Sequence, residues 1–253
     1  MGTVAFISDI HANLEGLTAV LADIDRRGIG EIYCLGDVVG YGPDPVACTD
    51  LVMERCKLTI KGNHDEAMVR GPVGFNPVAR EAIEWTQKRM KPRFWSAASQ
   101  RRWKFLAELP LQAEWGGFLL VHGSPRDPTT EYIMERDVLF GPPNMFSEIF
   151  AKFETVCLVG HTHIPGVFHE GPRFVSEREV TAPFAPESGK KIVINVGSVG
   201  QPRDHDPRAC YLVHEDGRFQ FHRVEYDVAA TQRKLRSIPR LDPRLAERLG
   251  EGA

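Results

Sequence analysis

Long apolar runs are missing from this chain: none approaches the ~20 residues a membrane-spanning helix requires, so no helical bilayer crossing is expected. Paired cysteines are missing too. The five cysteines, at positions 34, 48, 56, 157 and 210, show no Cys-x-x-Cys spacing, which argues against a disulfide framework or a thiolate zinc site. Cys34 and Cys157 lie inside apolar runs, where a reduced thiol packs as a small hydrophobe. An excess of one charge is also lacking. A formal net charge of −3 and no long basic tract give no strong signal for nucleic acid or a membrane surface. The first residues enter an apolar strand directly, without the basic and apolar stretches of a secretory leader. No repeat or low-complexity segment interrupts the 253 residues, which are enough to bury a substantial core. These features predict a soluble cytoplasmic enzyme.

Five short segments carry the chemistry: Asp9-Ile10-His11, Gly36-Asp37, Gly62-Asn63-His64-Asp65, Val121-His122-Gly123 and Gly160-His161-Thr162-His163. Each follows a short run rich in Val, Ile and Leu, beginning with Val4 to Ile7 and Ile32 to Leu35, that reads as a buried strand. Side chains at the ends of several strands converge at one sheet edge, where open α/β sheets place their ligands. Between the early strands, Asn13 caps an amphipathic helix running to about Arg27, and Pro43 and Pro45 introduce another from about Val46 to Arg55. Such strand–helix–strand units predict a parallel or mixed sheet flanked by helices. The reading is α/β, with one domain over 1–226, a helical insertion at about 66–110 placed beside or over the site, and a C-terminal helix and loosely held tail over 227–253. Residues 124–150 read as an irregular excursion. The strands after Thr162 read as an antiparallel second sheet with a hairpin at Asp216-Gly217.

Divalent metals of borderline hardness take imidazole nitrogen together with carboxylate oxygen. Asp9, His11, Asp37, Asn63, His122, His161 and His163 supply that mixture, and Asp37 is the natural bridge between two ions. Singly, each segment has a plainer explanation. Asp-x-His can be a turn, Gly-Asp is ordinary turn chemistry, and two histidines two residues apart occur on edge strands. All five in order, each behind an apolar strand, favour a metal centre. Five of the nine histidines fall in these segments: His11, His64, His122, His161 and His163.

The segments resemble the signature of the calcineurin-like metallophosphoesterase superfamily, over residue 3 to about residue 204. The resemblance implies a four-layer αββα sandwich of two mixed sheets with two divalent ions (Mn, Fe, Zn, Ni or Co) at its edge. Asp9, His11, Asp37 and His163 would hold one ion, and Asp37, Asn63, His122 and His161 the other. His64 would face the substrate as general acid, oriented by Asp65. After Gly36-Asp37 the chain runs Val38-Val39-Gly40-Tyr41-Gly42, without the Asp-Arg-Gly of the protein phosphatase branch. It is more similar to the compact bacterial and archaeal phosphodiesterase-like group, including the stretch Asn195 to Arg203.

The expected activity is hydrolysis of a small phosphodiester or phosphomonoester, nucleotides among the candidates. A nuclease and a non-catalytic metal-binding scaffold are the alternatives, and a homo-oligomer stays open. Arg203 is a candidate fork for phosphate oxygens, against the plainer reading of a surface arginine. Arg126 is a weaker substrate-binding candidate, and Asn13 is either a substrate contact or, the favoured reading, a helix cap. Trp85, Trp95 and Trp103 could wall a base-binding surface, but helical spacing favours core packing for Trp85 and Trp103.

Overall fold

Successive side chains of a strand point to opposite faces, and in β1 (Val4–Ile7) both faces are apolar and buried. The computed structural model describes residues 2–180 and 182–253. Val4 and Phe6 enter one core, Ala5 and Ile7 another. The same division runs through β2 (Glu31–Cys34), where Tyr33 joins the first core and Ile32 and Cys34 the second. A strand buried on both faces lies in the middle of a sandwich, and that is where β1 and β2 sit.

The first sheet has the order β11-β10-β1-β2-β3, with β3 (Leu58–Thr59), β10 (Ala209–Glu215) and β11 (Arg218–Val224) completing it. The second has the order β4-β5-β6-β9-β7-β8, formed by β4 (Gln112–Trp115), β5 (Phe118–Val121), β6 (Val156–Val159), β7 (Gly166–His169), β8 (Arg173–Ser176) and β9 (Ile192–Asn195). Their shared core joins Val4, Phe6 and Leu35 to Leu120, Leu158 and Ile194. Helices α1 (Leu14–Arg26), α2 (Pro45–Arg55), α3 (Asn63–Arg70) and α5 (Ala97–Glu108) contribute to the core on the outer face of the first sheet. Helix α7 (Met145–Phe150) packs Phe146, Ile149 and Phe150 against the outer face of the second. The result is an αββα sandwich.

Strands β1, β2 and β3 run parallel, as do β5, β6 and β9, so the C-terminal ends within each set share an edge. Every segment singled out in the sequence leaves one of those ends.

Three expectations need correction. The strands after Thr162 do not make a separate antiparallel sheet. β9 inserts parallel to β6 in the second sheet, while β10 crosses over to lie antiparallel to β1 in the first. Hairpin chemistry specifies local pairing, whereas the partner of a fully buried strand is decided by which core takes its two apolar faces. The 124–150 excursion contains α6 (Asp137–Phe140) as well as α7. The tail is not loosely held: after α8 (Val228–Arg236), helix α9 (Arg244–Glu251) buries Leu245, Ala246 and Leu249 against Leu235, Leu241 and Tyr41. Helix α4 (Pro77–Met90) completes that cluster with Ala79 and Ala82.

Close backbone approach ties the first sheet to the loop after β9. Gly200 N donates to Asp9 O at 2.9 Å, and a Cβ on Gly200 would stand 1.8 Å from Ile10 O. Neither atom of that clash belongs to a side chain that can turn aside. Gly200→Ala is therefore expected to destabilise the fold by about 1–3 kcal/mol or more, as overpacking does, in urea denaturation. A stability equal to the parent would show the two loops are not held this close.

Candidate metal centre

Burial makes the demand at this edge. Asp9 and Asp37 are 0 % and 1 % exposed, and a buried carboxylate requires a compensating positive charge or several hydrogen bonds. Each has one oxygen committed to the backbone: Asp9 Oδ2 accepts from His161 N at 3.0 Å and Asp37 Oδ1 from His64 N at 2.8 Å. The other oxygens face a ring of imidazoles. Asp9 Oδ1 lies 3.2 Å from His163 Nε2 and has no hydrogen-bond partner of its own. Asp37 Oδ2 stands between two histidines, 3.6 Å from His11 Nε2 and 3.4 Å from His122 Nε2. A carboxylate oxygen shared by two ions would take this position.

Backbone carbonyls choose which nitrogen each ring presents. The Nδ1 atoms of His122, His163 and His11 lie 2.8, 2.5 and 3.3 Å from the carbonyl oxygens of Leu35, Gln201 and Val39. An Nδ1–H donated there leaves Nε2 bare toward the cluster. His161 is turned the other way: its Nε2 meets Thr130 O at 3.1 Å, which frees Nδ1. His11 Nε2 and His163 Nε2 then face each other at 3.0 Å, two lone pairs that repel unless a cation lies between them. Asp9, His11 and His163 form one group with metal-ligand spacing, and Asp37, His122 and His161 another. Asn63 closes the second with Oδ1 3.2 Å from His122 Nε2. All seven residues fit divalent cations in donor type and direction.

The electrostatics agree. Burial holds His11, His161 and His163 below the ordinary imidazole range, His161 at about 3, so these rings are neutral at pH 7, as a metal ligand must be. Burial would raise the Asp9 carboxyl, but His163 and His122 outweigh it and hold it below its usual range. Burial also opposes ionised Asp37, and His122 and then His64 reverse that effect. His122 goes the other way, pushed up to about 9 against burial by the charges of Asp37 and Asp9. Its proton meets the same demand for positive charge that a metal ion would.

Strain marks the same residues. Among the described residues nine non-glycine positions have positive φ, and five are candidate ligands: Asp9, His11, Asp37, His161 and His163. Each such backbone costs on the order of 1 kcal/mol or more and persists only where the surroundings over-determine it. Asn195 is one such determinant, with Nδ2 donating to Gly160 O at 2.5 Å and Thr162 Oγ1 at 2.8 Å while its Oδ1 accepts from Gly197 N.

The other sequence candidates divide. His64 lies at the cluster, its ring centroid 4.8 Å from that of His11, with Nδ1 buried and unpartnered. Asp65 does not orient it. Its carboxylate accepts from Val38 N, Val39 N and Gly62 N, pinning the Asp37 loop to the start of α3. Tyr41 and Phe75 hold the His64 ring instead, at centroid distances of 4.4 and 5.0 Å, and Gly40 makes room, since a Cβ there would fall 2.3 Å from Nδ1. Arg203 reaches the site, lying over the Tyr41 ring. Asn13 is not a substrate contact: its Oδ1 caps α1 at Gly16 N and its Nδ2 donates to Gly200 O and Tyr226 Oη. Arg126 is paired with Glu131 and Glu148, which leaves it bracing its own loop. Trp103 packs on the first-sheet core and Trp85 beside α9, while Trp95 is exposed. Sequence reasoning missed Tyr41, Tyr132 and Arg248. Tyr132 stacks on His161 at 3.9 Å, from a segment with no strand or helix to announce it.

A sandwich that gathers two carboxylates and four imidazoles at one edge defines a metal-binding protein of the phosphoesterase type. The chain belongs to the calcineurin-like phosphoesterase superfamily, whose domain model matches residues 3–218. It is 36 % identical over 258 residues to the uncharacterised protein MJ0912 of Methanocaldococcus jannaschii, covering 98 % of this chain and 96 % of that one. A crystal structure of a metallophosphoesterase from Sphaerobacter thermophilus is similar at 38 % identity and TM-score 0.81, covering 99 % of this chain and all of that one. The hypothetical protein PH1004 of Pyrococcus horikoshii shares the fold, with 19 % identity, TM-score 0.74 and coverage of 100 % and 99 %. No described helix is long and apolar enough to cross a membrane.

Asn195→Ala should cost about 1–3 kcal/mol by orphaning buried polar groups and weaken metal affinity by roughly 10–100-fold through the loosened His161–His163 loop. Urea denaturation and metal titration check the two effects, and unchanged metal affinity would remove Asn195 from the support of the site.

Proposed function

We propose that the chain is a metal-dependent hydrolase of small phosphoesters, diester or monoester, with nucleotides among its candidate substrates, working with two divalent ions. The observation that carries this reading is the position of Asp37 Oδ2 between His11 and His122, where one oxygen is shared by the two groups of ligands. Asp9, His11, Asp37 and His163 would hold one ion, and Asp37, Asn63, His122 and His161 the other. Such a pair supplies a water of lowered pKa and polarises phosphoryl oxygens.

The remaining chemistry falls to the protein. Arg203 donates to Gln201 Oε1 through Nη2 at 2.8 Å and has a buried, unpartnered Nε, so it retains N–H groups for phosphate oxygens. His64 has Nδ1 sealed inside, which makes Nε2 the nitrogen that exchanges a proton with a leaving group. Burial holds His64 at about 4, with Arg203 and two histidines adding to that effect against the pull of Asp37. A neutral imidazole is a weak acid. The general-acid role therefore requires the arriving phosphate, whose negative charge raises the pKa of a ring beside it. Tyr41 and Phe75 keep the ring in place while this happens.

A nuclease reading draws support from a groove of about 800 Å³ lined by Trp85, Trp95, Lys88, Arg89 and Arg93, a mixture that suits stacked bases and phosphates. A single-stranded oligonucleotide in the substrate panel separates the two readings, since preferred cleavage of it over mononucleotide esters would favour the nuclease.

Asp37→Ala is expected to lose bound metal and activity together, measured by elemental analysis of the purified protein and by turnover of chromogenic mono- and diesters. Two retained ions would contradict the bridge. His64→Ala should keep its metal and slow alkyl esters by about 10²–10⁴-fold, with a much smaller effect on nitrophenyl esters, whose leaving group needs no proton. Equal losses on both ester types would take the acid role from His64.

A further inference from the structure

Tyr41 links the candidate metal centre to the C-terminal helix. Its ring is 8 % exposed and contacts His11 as well as His64. Two guanidinium groups lie against that ring, Arg203 with Cζ 5.8 Å and Arg248 with Cζ 5.9 Å from its centroid. They come from distant parts of the chain, the loop after β9 and the last turns of α9.

Among the described residues, neither guanidinium pairs with an Asp or Glu side chain. Arg203 donates to the amide oxygen of Gln201, lies near the hydroxyls of Tyr41 and Tyr132, and has a buried Nε without a partner. Arg248 donates through Nε to an oxygen of Ala253, the final residue described, at 2.7 Å, and both its Nη groups stay uncommitted. The chain matches its other half-buried arginines: Arg223 with Asp204 and Glu177, Arg126 with Glu131 and Glu148, Arg102 with Asp50, Arg55 with Asp25. Two like charges against one buried ring repel, and burial followed by the Arg203 charge works against the Arg248 cation. An anion that both guanidinium groups reach would offset that cost. Beside Arg248 an open groove of about 760 Å³ is lined by Asn76, Pro77, Val78 and Arg244 together with Glu247 and Glu251, so the part of a ligand that lies past Arg248 has room but meets carboxylates as well as Arg244.

We propose that Arg248 and Arg203 form a second anion subsite beside the metal centre, which selects phosphoesters carrying a second phosphate. The inference rests on the phosphoesterase reading above and deepens it. One phosphate is taken by the metal ions, and a second phosphate of the same molecule receives the planar N–H forks of the two arginines, a match of shape as well as charge. Arg248 is then a specificity residue, supplied by a helix that follows the last strand of the sandwich.

The test compares adenosine 3′,5′-bisphosphate with AMP. Binding is measured calorimetrically on metal-loaded protein in a His64→Ala background that slows turnover, and kcat/KM on the otherwise unaltered enzyme. The parent should favour the bisphosphate at least tenfold in Kd. Arg248→Gln, which keeps the length of the stem, should abolish most of that ratio, and Arg248→Lys should restore part of it. A parent with no preference, or a preference equal in Arg248→Gln, overturns the subsite. If the preference depends on Arg248 but no phosphoester is turned over, the subsite stands and the phosphoesterase reading falls.

Discussion

Asp9 and Asp37 are sealed inside the protein, yet among the described residues no lysine or arginine pairs with either of them. Backbone amides satisfy one oxygen of each, and the other two point at imidazole nitrogens. Leaving a carboxylate buried without a counter-charge costs several kcal/mol, so the arrangement is stable only with positive charge at its centre. The raised pKa of His122 is the response of the protein's own groups to that demand, while burial keeps the rings of His11, His161 and His163 neutral. Metal affinity follows from the same imbalance.

Holding the imbalance in place takes rigid loops. Five candidate ligands sit in left-handed backbone, and Asp65, Asn195 and the carbonyls of Leu35, Val39, Thr130 and Gln201 each fix one loop or ring. None of these supporting groups needs to touch a metal or substrate. Their work is to make unfavourable conformations the only ones that satisfy the surrounding hydrogen bonds, while the two-sided core of β1 and β2 anchors the strand ends from which the loops depart.

Outside this frame, the chain closes the site with elements that have little pattern of their own. Tyr132 leans on His161 from an irregular loop, and Phe75 backs His64 from the segment before α4. Helix α9 brings Arg248 to Tyr41 while burying Leu245 and Leu249 behind it. The proposed second anion subsite belongs to this outer layer, whose groups the candidate metal ligands do not constrain.

The candidate ligands were legible because metal chemistry restricts residue type and strand ends restrict position: Asp, His and Asn after apolar runs can be read without coordinates, as can the strand–helix–strand units of the first part and the helix capped by Asn13. Much else rests on long-range contact. Asp65 follows His64 directly and could have oriented it, but the backbone amides of residues 38, 39 and 62 lie closer in space. Arg126 and Arg203 look alike as isolated arginines, and only the folded chain sets Glu131 and Glu148 beside the first and Tyr41 beside the second. The crossover of β10 to β1 and the docking of α9 were likewise hidden, since a strand or helix specifies which of its faces is apolar and not which distant surface will cover it. Residue type and order were enough to name the candidate ligand set and the strands that carry it. Tertiary structure alone decided the partners of each charged group, because those depend on which surfaces the buried cores bring together.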